Sequence, residues 1–117
     1  MTRVLLATDS VHATAAGCDY LADRIGPDDE VIALTVLESA IPDHERDAAD
    51  ALNVATVRLR TVETIRREGD PAPAILEAAS EHDADEIALV AAETGVGSTI
   101  RSVLAGADRP VVIVPAA

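Results

Sequence analysis

The sequence contains no lysine, phenylalanine or tryptophan, and these absences exclude particular kinds of site. Without lysine the chain cannot build a Walker A loop, because that loop places a lysine on the bound phosphates. Tyr20 is the sole aromatic residue, so the chain cannot form the aromatic platforms that bind single-stranded nucleic acid. The single cysteine, Cys18, excludes an internal disulfide, and its position on an apolar helical face predicts a core residue.

Positive charge is also scarce, with nine arginines against 21 acidic residues and a formal net charge of −12. Such a surface repels nucleic acid and anionic lipid, so neither is an expected partner. Abundant acid without lysine is typical of proteins that stay in solution at high salt, where ions screen the self-repulsion. We therefore hypothesise an acidic, halophilic protein from a salt-loving source.

Long apolar runs are absent, and the first three residues lead directly into a strand pattern without a cleavable signal. These features predict no membrane association and a cytoplasmic location. A chain of 117 residues is expected to form one domain, covering residues 1–117.

Strand patterns alternate with helix patterns along the chain. The predicted strands are Thr2–Thr8, Glu30–Leu37, Thr61–Arg67, Glu86–Ala91 and Val111–Val114. The predicted helices are Val11–Ile25, Asp43–Arg58, one that starts at Asp70-Pro71 with Ile75, Leu76 and Ala79 inward, and one with Ile100, Val103, Leu104 and Ala107 inward. This alternation predicts an α/β fold with a doubly wound parallel sheet between two layers of helices. The polar third strand is expected at an edge.

The turn between the fourth strand and the fourth helix is the strongest candidate for an anion site. Gly95 and Gly97 would let a ligand approach the backbone, and Ser98 or Thr99 could cap the helix or donate a hydroxyl to phosphate. The free N–H groups of a helix start attract anions. A turn capped by its own serine, with nothing bound, explains the same residues. Arg101 could reach a terminal phosphate or form a surface ion pair.

Ligands of such sheets bind beyond the carboxyl ends of the strands, where the strand order reverses. Asp9 follows the first strand after Ala7 and Thr8, and there it could accept hydrogen bonds from ribose or adenine while repelling phosphate. An Asx turn or helix cap explains Asp9 equally well. Val36, at the end of the second strand, would either contact the adenine base or lie in the core.

Several segments together resemble the universal stress protein family over essentially the whole chain. They are Val4–Asp9 (VLLATD), Ala33–Val36 (ALTV), Gly69–Pro71 (GDP), Ala84–Val90 (ADEIALV), Gly97-Ser98 and Ala107–Val114 (ADRPVVIV). The resemblance implies an adenine-nucleotide alpha-hydrolase-like fold with strand order 3-2-1-4-5 and a dimer through the last strand. In one branch of the family it also implies adenine-nucleotide binding.

The glycine loop departs from the pattern of that branch, which carries Gly-x-x-Gly, nine further residues and then Gly-Ser or Gly-Thr. Here Ala92 replaces the first glycine, and only Val96 separates Gly95 from Gly97. Losing about two charge-assisted bonds to phosphate would cost about 3–6 kcal/mol, or roughly two to four powers of ten in Kd. We therefore expect at most weak binding of ATP or AMP, with a monophosphate favoured and Mg²⁺ only as its companion. The predicted contacts are Ala7, Thr8, Asp9, Val36, Ala92, Gly95, Gly97, Ser98 and Thr99.

Two functions stay open on the sequence alone. One is a nucleotide-responsive stress protein with at most weak ATPase activity. The other is a dimeric interaction module that has given up the nucleotide. No catalytic triad, general base or metal-ligand spacing is recognisable, and His12, His44 and His82 are expected to be solvated or capping. The apolar edge strand of Val111, Val112, Ile113 and Val114 is expected to pair with a second copy, unless a helix or the 115–117 tail covers it.

Overall fold

Five strands and four helices alternate in the computed structural model, which describes residues 1–39, 41–59, 61–92 and 95–115. The elements are β1 (Arg3–Ala7), α1 (Val11–Ala22), β2 (Glu30–Leu37), α2 (Pro42–Arg58), β3 (Val62–Glu68), α3 (Pro71–Glu81), β4 (Glu86–Val90), α4 (Ser98–Gly106) and β5 (Val111–Val114). All neighbouring strands are parallel, in the order β3-β2-β1-β4-β5. The predicted fold class and strand order are confirmed.

Alternation along the central strands places core side chains on both faces of the sheet. On β1, Leu5 and Ala7 pack towards α3 and α4, whereas Val4 and Leu6 pack towards α1 and α2. Cys18 lies in the second of these clusters and is buried, and this burial raises the pKa of its thiol. The predicted core role of Cys18 is confirmed.

Two helix predictions need correction. Helix α1 ends at Ala22 rather than Ile25, because the chain leaves the helix at Asp23 and the Arg24 guanidinium caps the Tyr20 carbonyl oxygen at 2.8 Å. Leu104, predicted to face the core, is 46% exposed. Helix α4 lies near the edge of the sheet, where only the narrow stripe of Ile100 and Val103 is covered.

At the amino ends of the strands, charged side chains form hydrogen bonds with backbone groups of the loops. The Asp29 carboxylate accepts N–H bonds from Gly26 and Thr2, both at 2.8 Å, and these bonds hold the pKa of Asp29 below its usual value. Arg109 donates to the carbonyl oxygens of Ala79 and Ala84, also at 2.8 Å. These charged side chains at the amino ends of the strands therefore stabilise the fold, and a ligand site is expected at the carboxyl ends.

None of the helices described by the structure is long and apolar enough to span a membrane.

Candidate functional site

A cavity of about 190 Å³ opens at the carboxyl ends of β1 and β4, where the strand order reverses. The two strands are paired, with Ala7 opposite Leu89. The lining residues are Ala7, Thr8, Asp9, Ala13, Leu34, Val36, Glu38, Pro71, Ile75, Leu89, Val90, Thr99 and Ile100. Five predicted contacts are thus brought together, namely Ala7, Thr8, Asp9, Val36 and Thr99. The remaining four, Ala92, Gly95, Gly97 and Ser98, do not line this cavity.

A buried hydroxyl network shapes the loop that carries Asp9. The hydroxyls of Thr8 and Thr14 lie 2.7 Å apart, and Thr14 also donates to the carbonyl oxygen of Ser10 at 2.7 Å. The Ser10 side chain caps α1 by accepting the N–H of Ala13 at 3.0 Å. The capping role proposed for Asp9 therefore belongs to Ser10. Within the described residues, the exposed Asp9 carboxylate has no hydrogen-bond or ion-pair partner.

The glycine turn uses its two glycines for different reasons. Gly95 has φ of +112°, which disfavours any side chain, and its N–H closes a turn on the Ala92 carbonyl oxygen at 2.9 Å. Gly97 has ordinary extended backbone, with φ of −87° and ψ of −178°. A Cβ built on Gly97 would meet nothing within 4 Å. The fold therefore does not demand glycine at position 97, and the space beside it is open. Glu93 and Thr94 lie outside the described residues.

Helix α4 begins without a side-chain cap. Its N-cap is Gly97 and no side-chain cap bond occurs among the described residues, so the expectation that Ser98 or Thr99 caps the helix is wrong. Ser98 and Thr99 instead form the first turn and line a second cavity of about 310 Å³. This second cavity is lined by Glu38, Asp70, Pro71, Ala72, Pro73, Leu76, Ser98, Thr99 and Ser102. Because Glu38, Pro71 and Thr99 line both cavities, the two adjoin.

The charge around both cavities is negative. Asp9 and Glu38 line the first cavity, and Glu38 and Asp70 line the second. No arginine among the described residues lines either one. Arg101 is exposed, lies outside both linings and makes no ion pair within the described part of the chain, so the surface ion pair expected for it is not formed there.

Glu38, like Asp70 on the second cavity, is a charged residue of the site that the sequence analysis did not identify. It follows the last residue of β2 directly, much as Asp9 follows β1. Ligands of doubly wound sheets bind beyond the carboxyl ends of the strands, and this rule applies to β2 as it does to β1. The position of Glu38 directly after the second predicted strand could therefore have identified it. Val36 was taken from the same strand end, and Glu38 lies two residues further on.

Metal ligands are not clustered in the part of the chain that the structure describes, where no group of three or more His, Cys, Asp or Glu could hold an ion. His12 and His44 are exposed, and the Nδ1 atom of His44 lies 3.0 Å from the Ser39 hydroxyl. His82 ends α3, with its backbone N–H bonded to the Ala78 and Ser80 carbonyl oxygens.

Comparison with protein families gives one match, to the universal stress protein family, over residues 1–115. No curated protein matches the sequence.

Solved structures give the same fold. A universal stress protein in complex with cAMP is 20% identical, with a TM-score of 0.78 and coverage of 99% of this chain and 98% of that one. An Arabidopsis thaliana family member with AMP bound is 16% identical, with a TM-score of 0.74 and coverage of 100% and 93%. Universal stress protein UspA from Lactobacillus plantarum is 24% identical, with a TM-score of 0.73 and 97% coverage of both chains. At these identities the likeness concerns the fold.

Proposed function

Because the chain belongs to the universal stress protein family, we propose that it is a stress-response domain that binds an adenine nucleotide weakly at the carboxyl ends of β1 and β4. The observation that carries the proposal is the cavity at the strand-order reversal, with Asp9 on its lining. The family members solved with cAMP and with AMP support an adenine ligand. The proposed role is binding, and no catalytic residue is assigned.

The two cavities suit the two ends of a nucleotide differently. The first, at about 190 Å³, is smaller than the roughly 300–1,000 Å³ usual for drug-sized ligands, so it would enclose only the nucleoside part. Leu34, Val36 and Ile75 offer apolar contacts to the base, and Asp9 offers acceptors to the ribose hydroxyls. The phosphate would lie in the second cavity against the uncapped start of α4.

Binding would be weak for two physical reasons. The shortened loop between Gly95 and Gly97 offers few backbone donors, and no described arginine lines either cavity. Only the N-termini of α3 and α4 are left among the described residues of the second cavity to attract the phosphate, each with an effective charge of about half a unit. A monophosphate is therefore favoured over ATP.

Removing the Asp9 charge tests this arrangement. Asp9→Asn should weaken AMP and adenosine binding about 10- to 100-fold, because a hydrogen bond to a charged acceptor contributes about 1.5–3 kcal/mol. Calorimetric titrations in high KCl with AMP, adenosine and ATP measure the effect. Asp28→Asn is the matched control, since this exposed carboxylate lies before β2 at the opposite edge of the sheet. Absence of heat at millimolar ligand, or equal effects of the two variants, would refute the nucleotide site.

The exposed edge of β5 favours a second candidate function, a dimeric interaction module. Among the described strands β5 pairs only with β4, and its residues Val111, Val112 and Ile113 are half-buried. The carbonyl oxygens of Pro110 and Val114 accept N–H bonds from Ile87 of β4 and from Ala91, which directly follows β4. By alternation, the backbone groups of Val111 and Ile113 point away from β4, where a second copy could bond to them.

This pairing can be blocked at a single N–H group. Ile113→Pro removes an outward-facing donor while leaving the bonds to β4 in place, so it should turn a dimer into a monomer. Ile113→Ala keeps the donor but shortens the side chain, and it should keep most of the association. Sedimentation equilibrium at micromolar concentration separates these results. A monomeric parent protein, or a dimeric Ile113→Pro variant, would exclude pairing through this edge.

A further inference from the structure

Glu38 occupies the junction of the two cavities. It directly follows β2, and it lines both the first cavity, of about 190 Å³, and the second cavity at the start of α4. The Gly69 N–H donates to the Leu37 carbonyl oxygen at 2.9 Å, which ties the start of α3 to the end of β2. This tie brings Asp70 to the same second cavity. A ligand that extends from the first cavity into the second must therefore pass Glu38.

The charges along the path from the first cavity into the second repel a chain of phosphate groups. The N-termini of α3 and α4 each contribute about half a positive charge, whereas Glu38 and Asp70 each carry a full negative charge when ionised. No ion pair involving Glu38 or Asp70 occurs among the described residues, and no described arginine lines the second cavity. The net field on the path is therefore negative, and every additional phosphate meets more repulsion.

We infer that Glu38 is a specificity-determining residue that makes the site select adenine ligands of low charge. Uncharged adenosine and a singly charged cyclic phosphodiester are accepted in preference to AMP, and ATP is rejected most strongly. The inference rests on the proposed function, since it concerns the ligand class of the same site. It also follows that selection weakens as salt rises, because ions screen the repulsion at the exposed Glu38.

A charge series of ligands tests the inference. Affinities for adenosine, cAMP, AMP and ATP are measured without Mg²⁺ for the parent protein, Glu38→Gln and the control Glu63→Gln, an exposed acid on β3. In the parent protein, affinity should fall along the series. Glu38→Gln should raise affinity for AMP and ATP about tenfold and leave adenosine within about twofold. Over the KCl range in which circular dichroism shows the protein folded, raising KCl should reduce the ratio of adenosine affinity to ATP affinity far more in the parent protein than in Glu38→Gln.

The outcomes separate the two claims. If adenosine binds the parent protein but Glu38→Gln leaves the affinities for AMP and ATP unchanged relative to adenosine, the role of Glu38 is refuted and the proposed function stands. If Glu63→Gln raises the affinities for AMP and ATP as much as Glu38→Gln does, general surface charge sets the preference and the role of Glu38 is again refuted. If no ligand binds any variant, the proposed function fails and the inference falls with it. Circular dichroism of each variant verifies folding, which substitution of these exposed residues should preserve.

Discussion

Transfer from about 2 M to about 10 mM KCl is expected to remove several kcal/mol from the free energy of unfolding, since the Debye length grows from under about 3 Å to about 30 Å. The chain carries a net charge of −12 within a body measuring 37 × 30 × 28 Å. Two unit charges about 15 Å apart in water repel by about 0.3 kcal/mol, and many such pairs act together. Unfolding increases the separations and relieves the repulsion. Because small domains are stable by only about 5–15 kcal/mol, partial or complete unfolding at low salt should follow.

Chemical denaturation at stepped KCl concentrations measures this effect, and charge-neutralised variants distinguish repulsion from other actions of salt. Asp50, Glu63 and Glu77 are exposed on three different elements and belong to none of the ion pairs within the described residues. Neutralising all three to Asn or Gln should raise stability at low salt and flatten the salt dependence. If the triple variant follows the parent's curve, or if the parent is equally stable at both salt concentrations, charge repulsion does not govern the stability.

Gly17→Val is expected to lower the free energy of unfolding by about 3 kcal/mol, because it overpacks the layer between α1 and the sheet. A Cβ on Gly17 would lie 2.7 Å from Cδ1 of Leu6 and 3.4 Å from Cγ2 of Val90. Leu6 is fully buried, so its side chain has no open space to move into. Valine adds two further methyl groups, and its helix propensity only slightly exceeds that of glycine. The steric clash with Leu6 therefore outweighs the small gain in helix propensity, and the substitution is expected to lower the free energy of unfolding.

Gly106→Val is the matched control for this prediction. A Cβ at Gly106 would lie 2.8 Å from Cδ1 of Leu76, a comparably short contact. Leu76 is only half-buried, so its flexible end can move aside, and the expected loss is below about 1 kcal/mol. Urea denaturation in high KCl compares the two variants. Equal losses would mean that close approach alone, rather than burial of the neighbour, sets the cost.

Much of the fold could be predicted because its signals are local. The apolar runs of β1, β2 and β4 and the turn at Gly69-Asp70-Pro71 lie within short stretches of chain. Their strand bounds were placed within one residue of the structure. The strand order came instead from the resemblance to the universal stress protein family, since no local pattern specifies which strands pair.

The site was predicted only in part. Asp9, Val36 and Thr99 share one cavity as expected, because parallel strands end at a common edge. Ser98 was expected to cap α4 because serine often does so, yet the helix begins one residue earlier than a Ser98 cap requires, so that Gly97 is the N-cap. Leu104 was expected to face the core because it lies at helical spacing from Ile100. It is exposed instead, because the sheet beneath α4 is too narrow to cover it.

The sequence by itself determined the alternating elements, the acidic surface and the shortened glycine loop, because each depends on residue type and local spacing. Only the tertiary structure decided that Glu38 joins two cavities, that Gly97 faces open space and that Leu6 leaves no room beside Gly17. The physical reason is that these properties are distances between residues remote in the chain. They exist only once β1, β2 and β4 lie side by side and the helices close over them.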